Sequence, residues 1–445
     1  MRKKKLILSF ILFTITLLSA RTQNVISTFS VDTKTYNLYK QKEWKKLIEL
    51  GQESLDNGID FYYLQYRMGV AYYELKNYRK AIHYFKRITA ETPEDKVAIE
   101  YLYYSYLFSG MYEDARLLGR SLPADLKKKL NIKPDSLLVN SAGAEYKYYI
   151  INNFEVEVSE GDVLSQKILR NLWYADFNLT SYSKGNLTIF QGFSYLNGKN
   201  KVFNSEYSSV SFDESIRQFQ YYISGNVHMT EGTDLKAAFH YVNTKLEATN
   251  PDATQNPGHG QGSNDSKYFY TDKEAGFAGF LKYNKSISDF DLKATVTISN
   301  FDRLVSTQFL PGIGIKWYPF GNTNLYVNGE VTYIFAGDVP DYNPGFIYKS
   351  NIGVRLLKRL WAEPFMLYGE AKDFVDEDAF VVYNSHNTIN YSYGLNLNTS
   401  LLKDKVFIYF SWQQYSLTNQ YYLNIDKKFI DFNISTFLGG FKYRF

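Results

Sequence analysis

Histidine is the side chain best suited to moving protons near neutral pH, and this 445-residue sequence has five: His83, His228, His240, His259 and His386. Alternation over Phe219–His228 and a tight turn at Glu231-Gly232 put His228 and His240 on one face of neighbouring strands, with His240 nearer Ser224 than His228. A Ser beside a His supports acyl transfer only when a third group orients the base. The sequence offers no clear third group, so a barrel hydrolase ranks last among the readings and no catalytic residue is assigned. His83, alone on a helical stretch, reads as structural. Clustered metal ligands, phosphate-cradling glycine loops and nucleic-acid motifs are missing from the sequence, so no cofactor or metal is expected. A formal charge of +4 is too small to imply nucleic acid.

The other residues with positional meaning are charges on the polar faces of alternating segments: Glu145, Lys147, Asp176, Lys236, Glu274, Lys282, Lys293, Lys316, Glu330, Lys349, Arg355, Glu370 and Lys372. If the sheet closes, they face its lumen. A pore selective for one polyanion would carry one sign of charge. The mixture here points instead to ion pairs that brace or plug the interior.

The elements that would hold these charges are strands. Beyond Pro134 the hydrophobic period changes from near 3.6 to 2. In one segment Leu325, Val327, Gly329, Val331, Tyr333 and Phe335 alternate with Tyr326, Asn328, Glu330 and Thr332, and in another Ile389, Tyr391, Tyr393, Leu395 and Leu397 alternate with polar residues. Tight connections are expected at Ser183-Lys184-Gly185, Glu231-Gly232, Lys285-Ser286, Gly321-Asn322, Lys358-Arg359 and Lys403-Asp404. Most of the intervening ones are longer and polar, notably 152–165, 198–214, 247–266 and 373–386. That rhythm, with 41 Tyr and 33 Phe suited to interfacial girdles, predicts a transmembrane antiparallel β-barrel of about 14 strands over 136–445. Closure is required because hydrocarbon offers unpaired backbone groups no partner. An even strand count puts both barrel ends on the side of the N-terminal domain, with the long loops, including the Gly- and Asn-rich stretch 251–266, on the other.

Residues 31–130 read as helical. Glu43-Trp44-Lys45-Lys46-Leu47-Ile48 aligns with Asn77-Tyr78-Arg79-Lys80-Ala81-Ile82 and with Met111-Tyr112-Glu113-Asp114-Ala115-Arg116, each offset by 34 residues. Gly69, Tyr72, Ala81, Phe85 and Pro93 in the middle copy resemble the tetratricopeptide pattern, while the outer copies drift, with Thr35 and Tyr103 in place of the Gly and Leu47 in place of the Ala. The resemblance implies helix hairpins whose small residues permit close approach and a face for a protein partner, with Tyr63, Tyr66, Tyr73 and Tyr104 as candidates. The same tyrosines could instead pack on one another or on the barrel mouth.

Met1–Ala20 has basic residues, a short apolar run and Ser19-Ala20, the form of a secretory signal peptide. The chain has no Cys, which suits passage through an oxidising periplasm. The last strand carries Gly440, Tyr443 and Phe445, resembling the signal that barrel-assembly machinery reads on bacterial outer-membrane proteins. Gly439-Gly440 also suggests a bulge, because the apolar face shifts there from Phe432 and Ile434 to Phe437, Phe441 and Tyr443. These features imply an outer-membrane location, with lipid around the barrel and the helices in the periplasm. Two functions follow: an anchor whose helices dock a periplasmic protein or envelope assembly complex, or a porin for a polysaccharide or other solute. Tetratricopeptide domains fused to barrels resemble exopolysaccharide-export porins, but those have longer arrays and a strongly biased pore. The anchor is therefore placed first.

Overall fold

A computed structural model describes residues 27–132, 139–151, 164–182, 185–204, 211–249, 268–301, 305–336, 345–372, 374–376, 378–383, 387–402, 404–424 and 426–445. The expected signal peptide, His259, His386 and the stretch 251–266 lie outside them. The chain divides into two compact units, one ending at Ser109 and one running from Gly110 to Phe445.

The first unit contains helices α1 (Thr28–Lys40), α2 (Trp44–Asp56), α3 (Tyr62–Glu74), α4 (Tyr78–Glu91) and α5 (Lys96–Ser109). The 34-residue offset is physical, because α1, α3 and α5 start at 28, 62 and 96, and α2 and α4 at 44 and 78. A single left-handed residue turns each of the first two helix pairs, Lys42 at φ 58° and Lys76 at φ 62°. Asn77 then caps α4 by accepting from the Lys80 N–H at 3.1 Å. Thr35 is fully buried and its hydroxyl accepts from Arg67 Nη1 at 2.9 Å, while Asp32 Oδ1 accepts from the same nitrogen at 2.8 Å. That network gives a polar residue a reason to occupy the position that Gly69 holds in the next copy.

Gly69 lies under the ring of Phe85, and a Cβ there would sit 2.9 Å from Phe85 Cζ. Phe85 is fully buried and cannot retreat without opening the core. Gly69→Ala should therefore cost the helical unit about 1–3 kcal/mol, read as a lowered helical melting temperature by circular dichroism while the barrel transition stays put.

Rings stack along one face of α3 and α5. Tyr66 lies parallel to Tyr62 at 6.2 Å, Tyr73 meets Tyr101 edge-on at 4.9 Å, and Tyr104 stacks on Phe108 at 5.8 Å. Tyr63 is the exposed one of the four partner candidates, at 60%. Burial, reinforced by a hydrogen bond to Asp95, pushes the Tyr62 phenol up to about 12, and burial likewise raises those of Tyr66, Tyr73 and Tyr84. A phenol whose value is higher folded than unfolded stabilises the fold fully below its unfolded value near 10 and loses that contribution as pH rises through the folded one. Helical ellipticity of the whole chain should thus hold to about pH 10 and fall by pH 12. A flat profile across that window would contradict the burial argument.

The second unit opens with α6 (Tyr112–Ser121) and α7 (Ala124–Lys129) and continues as strands. Fourteen of these close an antiparallel barrel: β1 (Ser141–Ile151), β2 (Leu164–Tyr182), β3 (Leu187–Asn204), β4 (Phe212–Thr230), β5 (Thr233–Thr249), β6 (Tyr268–Ile287), β7 (Phe290–Phe301), β8 (Val305–Trp317), β9 (Leu325–Tyr333), β10 (Phe346–Leu357), β11 (Leu360–Ala371), β14 (Thr388–Leu401), β15 (Val406–Leu423) and β16 (Asp426–Arg444). The closing seam pairs β1 with β16 over eleven residues of unbroken register. Between β11 and β14, β12 (Phe374–Asp376) and β13 (Val381–Tyr383) form a hairpin separate from the wall. No helix among the described residues is long and apolar enough to cross a membrane. The barrel's outward positions are apolar and open, with Ile313 at 69% and Phe219 at 62% exposed. A continuous belt of this kind suits lipid rather than water.

Three local expectations change. The turn expected at Lys285-Ser286 falls at Ser288-Asp289, because Ile287 continues the outward alternation and Ser288 takes the left-handed conformation. Register through Gly439 and Gly440 is continuous on both sides, so there is no bulge. The apolar face does shift, because Phe432 and Ile434 face a packed interior while Phe437, Phe441 and Tyr443 face outward. Gly440 instead makes room for a ring: a Cβ would lie 2.3 Å from Tyr409 Cζ, and the Tyr409 hydroxyl donates to Glu145 at 2.8 Å. Finally, a bulge between Ile389 and Tyr391 turns Ile389 inward, off the outer face it was expected to share.

Candidate functional site

The stretch 373–386 was expected outside the barrel as a long polar loop, yet its described residues fold into the lumen. Asp378 Oδ2 accepts from Lys236 Nζ on β5 at 2.8 Å and from Lys282 Nζ on β6, and Asp376 pairs with Lys349 on β10. The hairpin's carbonyls are held as well. The Tyr222 hydroxyl donates to the Asp378 oxygen at 2.9 Å, and His240 Nδ1 donates to the Ala379 oxygen at 2.7 Å. His240 stands opposite Tyr222 in the ladder, nearer Ser224 than His228 as expected, and its ring braces the hairpin.

Apolar packing completes the attachment. Phe374 joins Ile168, Leu310, Ile347, Leu367 and Ile389 in one buried cluster, and Val375 and Ala379 join Tyr222, Val242, Ala278 and Phe280 in another. Phe380 meets Phe190 and Tyr222 edge-on at 5.7 and 5.1 Å. Gly192 on β3 leaves the space, since a Cβ there would come within 3.0 Å of the Phe380 ring. The wall was expected to present polar side chains inward throughout. Around the hairpin it presents Leu310, Ile347, Leu367, Leu417 and Ile434, because a hairpin with its own apolar side chains replaces water there.

The charged lumen candidates fall into groups. Lys236, Lys282 and Lys349 hold the hairpin; Lys293 pairs with Glu330 across the interior wall. Glu145 accepts from Tyr409, Lys147 donates to the Tyr415 hydroxyl at 3.3 Å, and Asp176 accepts from Asn178 and Ser194 at 2.8 Å each. Lys316 lies over the Tyr326 ring at 4.7 Å, and Glu274 stands opposite Thr244. Arg355 sits exposed at the tight-turn end, over Trp361 and bonded to Asn324. Lys372 lies past the end of β11, its carbonyl accepting from Gln308. Glu370 is not brought inward. It follows Gly369, at φ +134°, where β11 bulges against β14, and is exposed while Ala371 takes the buried position.

At the tight-turn end, α6 is bonded to the barrel. Asp114 Oδ1 lies 3.1 Å from His228 Nε2 and accepts from the Gly232 N–H at 3.1 Å, and His228 Nδ1 lies 2.9 Å from Asp234. Arg116 covers the Tyr182 ring at 4.8 Å, and Arg120 donates to the Gly185 oxygen. These bonds explain why α6, third in the 34-residue series with Trp44 and Tyr78, belongs to the same compact unit as the sheet. Between hairpin and wall there remains a cavity of about 410 Å³, lined by Glu145, Asn328, Asn351, Asn396, Ser411 and Gln413 among others.

No protein-family profile and no curated protein matches the sequence. Among solved structures, the chain is similar to the P. putida toluene transporter TodX, at 8% identity and TM-score 0.45 over 71% of this chain and 92% of that one. It is also similar to a Pseudomonas aeruginosa FadL homologue, at 9% identity and TM-score 0.40 over 69% and 90% of the two chains. A third likeness is Acinetobacter baumannii Omp33, at 11% identity and TM-score 0.31 over 69% and 99%.

Asp376 and Asp378, which hold Lys349, Lys236 and Lys282, are not among the charges that alternation points to. A signal was present, since Phe374-Val375 and Phe380-Val381-Val382 are too apolar for a solvated loop.

Proposed function

We propose that the chain is an outer-membrane anchor with a closed barrel, whose N-terminal helical repeats dock a periplasmic protein partner or an envelope assembly complex. The observation that carries this reading is the β12–β13 hairpin, packed into two apolar clusters inside the lumen and tied to the wall by Lys236 and Lys282 on adjacent strands and by Lys349 on β10. An interior filled in this way resembles a protein core more than a water-filled passage. The helix hairpins at 34-residue spacing support a tetratricopeptide-type domain, and exposed Tyr63 beside Arg67 supplies a docking edge. In this reading a signal peptide directs secretion, and Gly440, Tyr443 and Phe445 are read during barrel assembly.

A second reading, passage of a solute, draws on the polar cavity beside the hairpin. Planar-bilayer recording of the purified chain separates the two. Silence is expected of the anchor, whereas a steady open conductance in the unmodified protein would replace it with the channel. For the docking half, a partner co-purified from native membranes should be lost with Tyr63→Glu; retention would remove that face from the interface.

A further inference from the structure

On β4 the outward positions Phe219, Tyr221, Ile223, Gly225, Val227 and Met229 form an unbroken apolar series. At about 3.3 Å per residue and a strand tilt of about 40°, the series covers about 25 Å, the height of a membrane barrel's apolar band. The next outward position toward the loop end is Arg217. The ladder sets Arg217 opposite Lys245 on β5, and Lys245 opposite Lys273 on β6. Three cations thus stand side by side within roughly 10 Å, two inter-strand spacings, at the edge of the face turned to lipid. Lys199 and Lys201 extend the patch on β3, just past Asn197, which pairs with Arg217.

Like charges set opposite one another repel, and the wall relieves them only in part. Buried Glu247 lies 3.3 Å from Arg217 Nη2 and 2.6 Å from Lys245 Nζ, and Asp213 stands opposite Lys201. Lys199 and Lys273 are exposed and form no ion pair among the described residues. The positive excess is also local. Past Ile298, Phe309 and Tyr368, the outward positions on β7, β8 and β11 hold Asn300, Thr307 and Glu370, with no cation.

Directly beneath the cations the same face is hollowed. A groove of about 540 Å³ runs over the small side chain of Ala175, between the rings of Phe193, Tyr195, Phe219, Tyr221 and Tyr241. The rings brace one another, Tyr195 lying 4.9 Å from Phe219 and Phe193 5.0 Å from Tyr221. A soluble anion would engage the cations and leave this apolar groove empty, whereas an uncharged lipid would do the reverse. A lipid with more than one phosphate on its headgroup meets both demands.

We infer that the outward face of β3–β6 at the loop end binds a phosphorylated glycolipid of the lipid A type, its phosphates on Arg217, Lys245 and Lys273 and an acyl chain in the groove over Ala175. The inference rests on the outer-membrane reading, with the loop end in the outer leaflet, and holds whether or not the lumen conducts.

The test uses the full chain in an uncharged detergent, with bisphosphoryl and monophosphoryl lipid A of the same acylation as probes in native mass spectrometry. The bisphosphorylated lipid should bind about fivefold more tightly, the scale of one further charge at a membrane surface. Arg217→Gln/Lys245→Gln/Lys273→Gln should weaken it on the order of a hundredfold, three such factors, and erase the preference for the second phosphate. Lys273→Gln alone, at an exposed position without an ion pair, should weaken it about fivefold. Lys358→Gln/Arg359→Gln, at the tight-turn end, should leave binding unchanged, and every variant should keep the wild-type shift on boiling in gels. The inference is overturned if the two lipids bind equally, if the triple variant binds as wild type does, or if the tight-turn variant weakens binding as much. Absence of the boiling shift in the unmodified chain would sink the barrel and this site together, whereas a shift without any preference for the second phosphate sinks the site alone.

Discussion

Replacing Phe374–Tyr383 by a short Gly/Ser connection should turn a silent barrel into one with a steady, anion-preferring conductance. The hairpin packs into two buried clusters inside the wall. Phe374 and Val375 are 2% and 5% exposed, and burying side chains of this size contributes roughly 1.5–3 kcal/mol each. Such packing keeps the hairpin in place at rest. Its removal exposes the inward faces of Leu310, Ile347 and Leu367 to water and, more consequentially, strips Lys236, Lys282 and Lys349 of their carboxylate partners. The ammonium groups of Lys236 and Lys282 would line the widened section without their carboxylate, while Lys349 keeps Glu330 opposite it in the ladder, and an excess of one sign selects the other. The reversal potential in a KCl gradient should therefore shift toward chloride. Silence in the shortened variant, with the barrel folded, would mean that something other than the hairpin closes the lumen. Conductance equal to that of the unmodified protein would mean that the hairpin never closed it.

Much of this architecture was legible from the sequence because membrane strands must alternate and helix hairpins must repeat. Leu325 to Phe335 declared its outer face, and Trp44, Tyr78 and Tyr112 marked the second helix of each repeat. The hairpin was not legible, because Asp373, Asp376, Glu377 and Asp378 give its stretch the polarity of a solvated loop. Its destination depends on lysines contributed by β5, β6 and β10, more than a hundred residues away in the case of Lys236 (378 against 236). Nor does alternation reveal what fills a lumen. Ile347 and Leu367 sit on the face shared with Lys349 and Glu330, and only the packed hairpin explains apolar and charged residues on one face. Periodicity also placed α6 with the other helices, whereas the Asp114 contacts to His228 and Gly232 tie it to the sheet. A bond between distant segments leaves no periodic trace.

The hairpin's attachment should fail most sharply at one atom pair. Lys236 and Lys282 are direct cross-strand neighbours, both turned inward, so their ammonium groups would repel one another on the bare wall. Asp378 Oδ2 accepts from both and converts the repulsion into the hairpin's anchor. Asp378→Ala leaves two partly buried cations facing each other without their carboxylate. Its cost should be roughly 2–5 kcal/mol, the scale for truncating one partner of a buried hydrogen-bonded charge pair. The loss should appear in two independent readouts, a lower urea midpoint of the detergent-solubilised barrel and brief conductance bursts as the hairpin swings free. Adding Lys236→Met and Lys282→Met should recover most of the midpoint, because an apolar replacement of all three charges removes the desolvated cations that the single change strands. Recovery by the triple variant would locate the energy in this cluster. An unchanged midpoint in Asp378→Ala would show instead that the apolar contacts of Phe374 and Phe380 alone hold the hairpin inside.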